Sequence, residues 1–388
     1  MRKKVEMIGV KLLTLFLFNS AYATTWHVHP DSTLNTIQAA LDSCADNDIV
    51  LVAPGTYYEN IVWPNTQGIQ LISVLWPDTT IIDASGYGRV ITITTGVDSL
   101  TSINGFTIRN GFDYGGGSGI YCISSSPTIT NNTITENTSN YYGGGIFCEG
   151  ESSPTITNNI ITGNITSWGG KGGGIACYFC YSAIIISANT ITGNTADRGG
   201  GIFCCGGSPI IDSCTISNNS EDGVYCEEGS SPLINHNDIT DNIGYGVQNV
   251  DSNIIVNAEY NWWGDSTGPG GVGPGTGDEV SEWVDYEPWL PGPVGVKEDK
   301  KDRRHKSTDL RLICHPNPFS TSATITLSLP SIGQRAEGIG LTIYDISGRL
   351  VKSVPLTTNH LSLGTDLSAG IYFLKVDGKS VGKVVKVR

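Results

Sequence analysis

Three residues in the middle of the chain, one aromatic and two cationic, occupy the same position in successive copies of a repeat. Tyr142, Lys171 and Arg198 each stand four residues before the Ile that ends a Gly-Gly-Gly-Ile sequence. Aromatic rings stack on sugar rings and cations attract carboxylates, so a stack of these residues would form a sugar-binding patch. The alternative interpretation is a set of solvated turn residues. Close to them in the sequence lie Tyr141, Trp168 and Asp197.

A second row of residues follows in the same repeat, between an Ile and a Cys that both face inward. Because successive strand residues alternate between the two faces, this row should point outward. Exposed aromatic side chains in a row would suit a glycan or a partner protein. Alternatively, a neighbouring loop covers them, or a bulge in each coil turns them inward. The row consists of Tyr121, Phe147, Ala176, Phe203 and Tyr225.

Five of the ten cysteines share one position in successive copies of the repeat and should form a column inside the fold. Neighbours about 4.8 Å apart lie within the range that a disulfide can bridge. Stacked free thiols are the alternative. The pair Cys177 and Cys180 has the CxxC spacing of a metal site, but zinc would need further ligands to converge. The column consists of Cys122, Cys148, Cys177, Cys204 and Cys226.

The repeat itself predicts an all-β solenoid. Between Gly105 and Gly264, three short strand patterns recur roughly every 22 to 30 residues, which is typical of stacked coils that share one core. An Asn follows each third strand, and these side chains should form a hydrogen-bonded ladder at a sharp turn. The ladder residues are Asn137, Asn164, Asn194, Asn219 and Asn242.

The region before the repeat should contain a short helix that caps the open end of the solenoid. Asp31, Ser32 or Thr33 can begin it, and an apolar face follows. A capping helix would cover the apolar core and the free strand edge. The apolar face consists of Ile37, Ala40 and Leu41.

The chain begins with a pattern typical of a secretory signal peptide, residues 1–23. It has three basic residues, an apolar run too short to span about 30 Å of hydrocarbon, and an Ala-Tyr-Ala cleavage site. We therefore expect a secreted protein with no transmembrane segment after signal removal. The remaining parts are expected to be a parallel β-helix (24–290), a charged linker (291–310) and a small C-terminal β-sandwich (311–388).

Charge divides the chain sharply. Residues 24–296 carry four basic and 28 acidic side chains, whereas residues 297–388 carry 15 basic and eight acidic ones. The acidic body should repel nucleic acid, anionic membranes and, without bridging cations, acidic polysaccharides. Acidic turns, including those at Asp197, Asp222 and Glu227, would bind Ca²⁺ if their oxygens converge. A solvated acidic face is the alternative, and no other cofactor is expected.

The repeats resemble the right-handed parallel β-helix proteins of the pectate-lyase-like superfamily over roughly residues 30–264. The segment Asn261-Trp-Trp-Gly264 is similar to a motif that closes the last coil of such domains. The resemblance implies the fold but no single activity, because the superfamily includes lyases, hydrolases, esterases, epimerases and non-catalytic adhesins.

The C-terminal region resembles the sorting domain of the type IX secretion system. This resemblance implies passage through the outer membrane by that machinery, followed by release or attachment at the cell surface. The matching segments are Pro316-Asn-Pro-Phe319, residues 341–349, residues 367–372 and residues 383–388.

Whether the body is an enzyme stays open at this point, and no catalytic residue is identified. The repeat lacks the Gly-His-Gly and Arg-x-Lys sequences of polygalacturonases, and the body has only four basic residues. These features favour a non-catalytic adhesin or glycan-binding scaffold at the cell surface. The alternative is an extracellular polysaccharide lyase or glycoside hydrolase that acts on an acidic polysaccharide near Lys171 and Arg198.

Overall fold

The computed structural model describes residues 23–94 and 96–294, together with Leu367 and the strands of the C-terminal region given below. From Thr25 to Asp285 the chain is a parallel β-solenoid of about ten turns. Most coils contribute one strand to each of three long sheets, here called A, B and C, in that order along the chain.

Sheet A has eleven parallel strands and forms one wall of the solenoid. Their order is β1 (Thr25–Val28), β2 (Ile49–Val52), β5 (Gln70–Ser73), β8 (Ser102–Asn104), β12 (Thr128–Thr130), β16 (Thr155–Thr157), β20 (Ile185–Ser187), β23 (Ile210–Asp212), β26 (Leu233–Asn235), β29 (Val256–Asn257) and β32 (Val284–Asp285).

Sheet B has eight parallel strands. Their order is β3 (Gly55–Tyr57), β6 (Thr80–Asp83), β9 (Thr107–Arg109), β13 (Thr133–Thr135), β17 (Ile160–Thr162), β21 (Thr190–Thr192), β24 (Thr215–Ser217) and β27 (Asp238–Thr240). Between sheets B and C, three coils add the short strands β10 (Phe112–Asp113), β14 (Thr138–Ser139) and β18 (Ile165–Thr166).

Sheet C has ten strands and carries the candidate site on its outer face. Their order is β4 (Ile61–Val62), β7 (Ile91–Ile93), β11 (Ile120–Ile123), β15 (Ile146–Glu149), β19 (Ile175–Tyr178), β22 (Ile202–Cys205), β25 (Val224–Glu227), β28 (Tyr245–Asn249), β31 (Gly277–Val280) and β30 (Pro269–Gly271).

One core runs through the whole solenoid because the inward residues of each coil stand in register with those of the next. In sheet A, for example, Ile129 pairs with Ile156, and Ile156 pairs with Ile186. All three are fully buried in a core cluster that extends from Val28 to Val284. A coil alone could not bury this apolar face, so stacking is what makes the fold stable.

The predicted asparagine ladder is confirmed. Each side-chain amide donates to the Oδ1 atom of the Asn in the next coil, as in Asn164 to Asn194 at 3.0 Å and Asn194 to Asn219 at 3.1 Å. The ladder ends on a carboxylate, since Asn242 Nδ2 donates to Asp278 Oδ2 at 2.8 Å. Asp278 was not predicted to belong to the ladder. The asparagine side chains of the ladder are all buried, and Asp278 is partly buried.

A second asparagine ladder, missed at the sequence level, lies at the turn between sheets A and B. Asn132 donates to Asn159 at 3.1 Å, and Asn159 donates to Asn189 at 3.0 Å. Farther along, Asn237 donates to Asn261 at 3.0 Å, so the first residue of the predicted closing motif ends this ladder. The signal was present in the sequence, since an Asn immediately precedes the third strand of most coils.

The prediction of an N-terminal capping helix is not supported. The helix α1 (Ile37–Asp42) has only six residues and packs its apolar face into the common core, while β1 extends sheet A beyond β2 as its edge. The predicted helix start is wrong as well. Thr36 is the N-cap, and its side chain accepts a hydrogen bond from Ala39 N.

The C-terminal region is antiparallel. One sheet contains β33 (Arg311–His315), β34 (Ala323–Ser328) and β37 (His360–Leu363), and the other contains β36 (Leu350–Pro355), β35 (Gly340–Asp345), β38 (Gly370–Val376) and β39 (Lys379–Lys386). The predicted signal peptide, except Ala23, and residues 295–310 of the predicted linker lie outside the described residues. The predicted domain boundaries stay predictions.

Candidate functional site

The turn before sheet C stacks Tyr142, Lys171 and Arg198, as their shared position in the repeat predicts. Backbone bridges join Tyr142 to Lys171 and Lys171 to Arg198 in parallel, so the three side chains lie on successive coils. The glycines that follow make this stacking possible. A side chain at Gly145 would approach Gly174 O to 2.6 Å, and Gly172 has a positive φ of 72°.

The two cations of this stack pair with one carboxylate, which was expected among the acidic turn residues. Lys171 and Arg198 both form ion pairs with Glu227, which lies on the outer face of β25. The Lys171 ammonium also lies 4.9 Å from the ring centre of Phe203, and the Arg198 guanidinium lies 5.6 Å from that of Tyr225. Both cations therefore cover aromatic rings in the manner of cation–π contacts.

The prediction of an exposed aromatic row on sheet C is wrong. Phe147, Phe203 and Tyr225 are buried, and Tyr121 is only partly exposed. They point outward as strand alternation requires, since they form a cluster separate from the main core. Tyr142 covers this cluster, with its ring centre 5.3 Å from that of Phe147. The alternative of a covered row is the correct one.

Polar side chains cover Tyr121, the first residue of the covered row. The Arg89 guanidinium lies 3.8 Å from the ring centre of Tyr121, whose hydroxyl donates to Glu149 at 2.7 Å. Burial, and then the hydrogen bond to the Glu149 carboxylate, raise the pKa of Tyr121 to about 12. This phenol therefore stays protonated at neutral pH and serves as a hydrogen-bond donor, not as a base.

The cysteine column lies inside the solenoid as predicted, with its residues paired in register on neighbouring strands. All five thiols are buried and free. The pKa of Cys148 is raised well above its usual value by a hydrogen bond with Cys122 and by burial, and that of Cys204 is raised likewise through Cys226. Such thiols are poor nucleophiles.

Metal-binding geometry is absent from the part of the chain that the structure describes, where no three His, Cys, Asp or Glu side chains converge to hold an ion. Two of the acidic turn residues instead bind the backbone. Asp222 accepts hydrogen bonds from Tyr245 N at 3.1 Å and Gly199 N at 3.4 Å, and Asp197 accepts one from Gly169 N at 2.6 Å.

A different set of aromatic residues is exposed, one on each of four consecutive coils. We call Tyr87, Tyr114, Tyr141 and Trp168 the aromatic ladder; their exposed fractions are 79, 72, 53 and 81%. Each lies in the turn that leads into the next strand of sheet C, namely β7, β11, β15 and β19. Their constant spacing of 27 residues was visible in the sequence, but only Tyr141 and Trp168 were noted there.

The ladder turns are held by short polar contacts and by an unusual backbone conformation. Asp113 accepts hydrogen bonds from Gly115 N at 2.7 Å and Gly116 N at 2.9 Å, directly after Tyr114. Trp168 has a φ of +59°, which bulky residues rarely adopt. The same conformation occurs at Phe179, Tyr260 and Trp283, so it recurs in the turns of this solenoid.

A depression of about 530 Å³ borders the first part of the ladder and is lined by residues of four coils. Its polar lining includes Asp83, Ser85, Asn110, Glu136 and Thr138. Asp83 is itself buried and pairs with Arg109 at 2.9 Å, so it holds the wall of the depression together.

Comparison with protein families agrees with this architecture. Residues 89–262 match the model of the right handed beta helix region, and residues 314–387 match that of the secretion system C-terminal sorting domain. A search of curated proteins found no match to the chain.

The sorting domain indicates export by the type IX secretion machinery to the cell surface or the extracellular space. Among the described residues, no helix has the length and apolar character needed to cross a membrane. The chain is therefore a secreted parallel β-solenoid protein whose body matches the right handed beta helix region and whose C-terminal region matches a secretion system sorting domain.

Proposed function

We propose that this protein is a non-catalytic surface protein that binds a glycan through the aromatic ladder. The observation that carries the proposal is the row of four exposed aromatic rings on consecutive coils. Aromatic faces are the surfaces on which sugar rings stack, and exposed rings on four neighbouring coils offer several such faces on one side of the solenoid. The site thus shifts from the covered row to the turn beside it.

The carboxylates on the outer face of sheet C do not favour glycoside hydrolysis. Glu149 and Glu227 occupy the same row but stand three strands apart. At about 4.8 Å per strand their separation is roughly 14 Å, whereas paired catalytic carboxyl groups lie about 5 to 9.5 Å apart. Each is also occupied, Glu149 by Tyr121 and Glu227 by the two cations.

A glycan array with the mature secreted protein tests the proposal. We expect binding that Trp168→Ala weakens and that Tyr181→Ala leaves intact, because Tyr181 is equally exposed but lies outside the ladder. Equal binding by both variants would remove the ladder from the site. Turnover of any bound polysaccharide by the purified protein would overturn the non-catalytic assignment in favour of a lyase or hydrolase.

A further inference from the structure

We infer that the ligand of the aromatic ladder is an uncharged, extended polysaccharide that lies parallel to the solenoid axis. This inference rests on the proposed function and adds the charge, direction and length of the ligand. An uncharged ligand differs from the acidic polysaccharide that the sequence analysis considered for an enzyme. The reason for the difference is that the basic residues of the body form ion pairs within the protein.

Every basic side chain of the body is already paired. Arg89 lies 3.0 Å from Asp113, and Arg109 lies 2.9 Å from Asp83. The remaining two, Lys171 and Arg198, share Glu227. Each lysine and arginine of the body therefore has a carboxylate partner, with which the carboxylates of a uronic acid chain would have to compete.

The charge around the ladder also disfavours an anionic ligand. Asp197 contacts the turn after Trp168, and Glu136 lines the adjacent depression. With 28 acidic and four basic residues in 24–296, the potential over this face is negative. A neutral polymer pays no such electrostatic cost.

The direction of the ligand follows from the register of the coils. Asp113 pairs with Ser139, and Ser139 pairs with Thr166, so the turns that follow them are stacked along the axis. Tyr141 lies two residues after Ser139, and Trp168 lies two residues after Thr166. Tyr114 lies one residue after Asp113. Neighbouring coils repeat at about 4.8 Å, so turns that each carry an exposed ring follow one another along the axis and offer a track for an extended chain.

Hydroxyl groups of a neutral sugar have partners beside this track. The depression next to the ladder contains the side chains of Ser85, Asn110 and Thr138, which donate or accept hydrogen bonds without carrying charge. Aromatic stacking with uncharged hydrogen bonds at one edge is the combination that recognises a neutral glycan.

Affinity electrophoresis with soluble polymers provides the test. The probes are hydroxyethylcellulose, β-1,4-mannan and xylan as neutral chains, and polygalacturonate as the acidic chain, each with EDTA present. We expect at least one neutral chain to retard the protein, little change with salt because no ion pairs form, and no retardation by polygalacturonate. Trp168→Ala and Tyr114→Ala should each weaken retention roughly ten-fold, and Tyr181→Ala should not.

The outcomes separate this inference from the proposed function. Polygalacturonate binding that is lost in Trp168→Ala would overturn the uncharged ligand and leave the ladder as a glycan site. Retention by neither class of chain would overturn both. Oligosaccharides of two to six sugars test the direction, because affinity should rise until four rings are occupied. Full affinity for a disaccharide would contradict a ligand that lies along the axis.

Discussion

A buried asparagine in this solenoid stabilises three coils at once. Asn194 Nδ2 donates to Ile161 O at 2.9 Å in the preceding coil and to Asn219 Oδ1 in the following one, and its own Oδ1 accepts from Asn164. The side chain is fully buried, so water cannot replace any of these bonds. The ladder therefore fixes the position of each turn relative to the next.

Replacing one ladder residue should be costly. We expect Asn194→Leu to lower the free energy of unfolding by about 3 kcal/mol or more, because it leaves several buried donors and acceptors without partners. Chemical denaturation of the purified variant measures the change. Asn65→Ala, at an exposed position, is the matched control and should shift stability by less than about 0.5 kcal/mol. A similar small effect at both positions would contradict the ladder's role.

The last position of this ladder makes stability depend on pH. Burial raises the pKa of Asp278, whose Oδ2 accepts hydrogen bonds from Asn242. A carboxyl group with a raised pKa in the folded state binds protons more tightly there than in the unfolded chain. Its contribution to stability is therefore complete at low pH and declines as the pH rises from about 4 through the raised value.

Asp278→Asn should remove this decline while keeping an oxygen for Asn242. We expect the variant to lose less stability than the wild type between about pH 4 and pH 7 in denaturation series. Asp222 and Asp238, whose pKa values are also raised, remain in both proteins, so the comparison isolates residue 278. Parallel stability curves for the two proteins would contradict the assignment.

The thiol column should be chemically silent in the folded protein. All five cysteines are buried, and deprotonation is further suppressed at Cys148, Cys177 and Cys204. We expect alkylation to leave the column unmodified until the chain is unfolded, and mass spectrometry locates the label. If the cysteines resist labelling after unfolding without a reductant, the secreted protein holds them as disulfides instead.

At the scale of the element, sheet C and the turns that lead into it carry two aromatic sets with different positions. The covered row packs under Tyr142 and the cations, so it contributes to stability, whereas the ladder faces solvent. We expect Phe203→Ala to lower the free energy of unfolding by about 3 to 5 kcal/mol, as for other buried rings. Trp168→Ala should change it little. Chemical denaturation of the two variants distinguishes the covered row from the ladder. Equal losses of unfolding free energy in both variants would contradict the different roles of the two sets.

Periodic features were predictable because each coil repeats them locally. The inward Ile and Cys positions and one Asn ladder follow from spacing and strand alternation alone, and the structure places them as expected. Strand alternation also predicts that Phe203 points outward. Alternation alone does not indicate which residues cover the outer face of sheet C.

Pairings between coils were not predictable in the same way. Glu227 lies 56 residues from Lys171 and 29 from Arg198, and it was expected at a turn among other acidic residues. These three charges come from different coils, and only the stacking of the coils brings them together. The charge of the binding face, and hence the class of ligand, depends on that contact.

At the scale of the whole molecule, the solenoid is closed before the C-terminal region begins. The core cluster ends at Val284, and Trp289 packs against it. The ring of Trp289 lies so close to Gly268 that a side chain there would approach it to 2.7 Å. Val294 N donates to Asp238 Oδ1 at 2.6 Å, which ties the end of the described body to sheet B.

A protein truncated after residue 294 should therefore fold but stay in the cell envelope. The body has its own core, so its denaturation midpoint should match that of the full chain, whereas export depends on the sorting domain at 314–387. Fractionation of a bacterium with a type IX system measures export. Deletion of residues 297–306 is the control, because it shortens the charged segment and keeps the sorting domain. Export of the truncated protein, or loss of its cooperative unfolding, would show that the two parts are not independent.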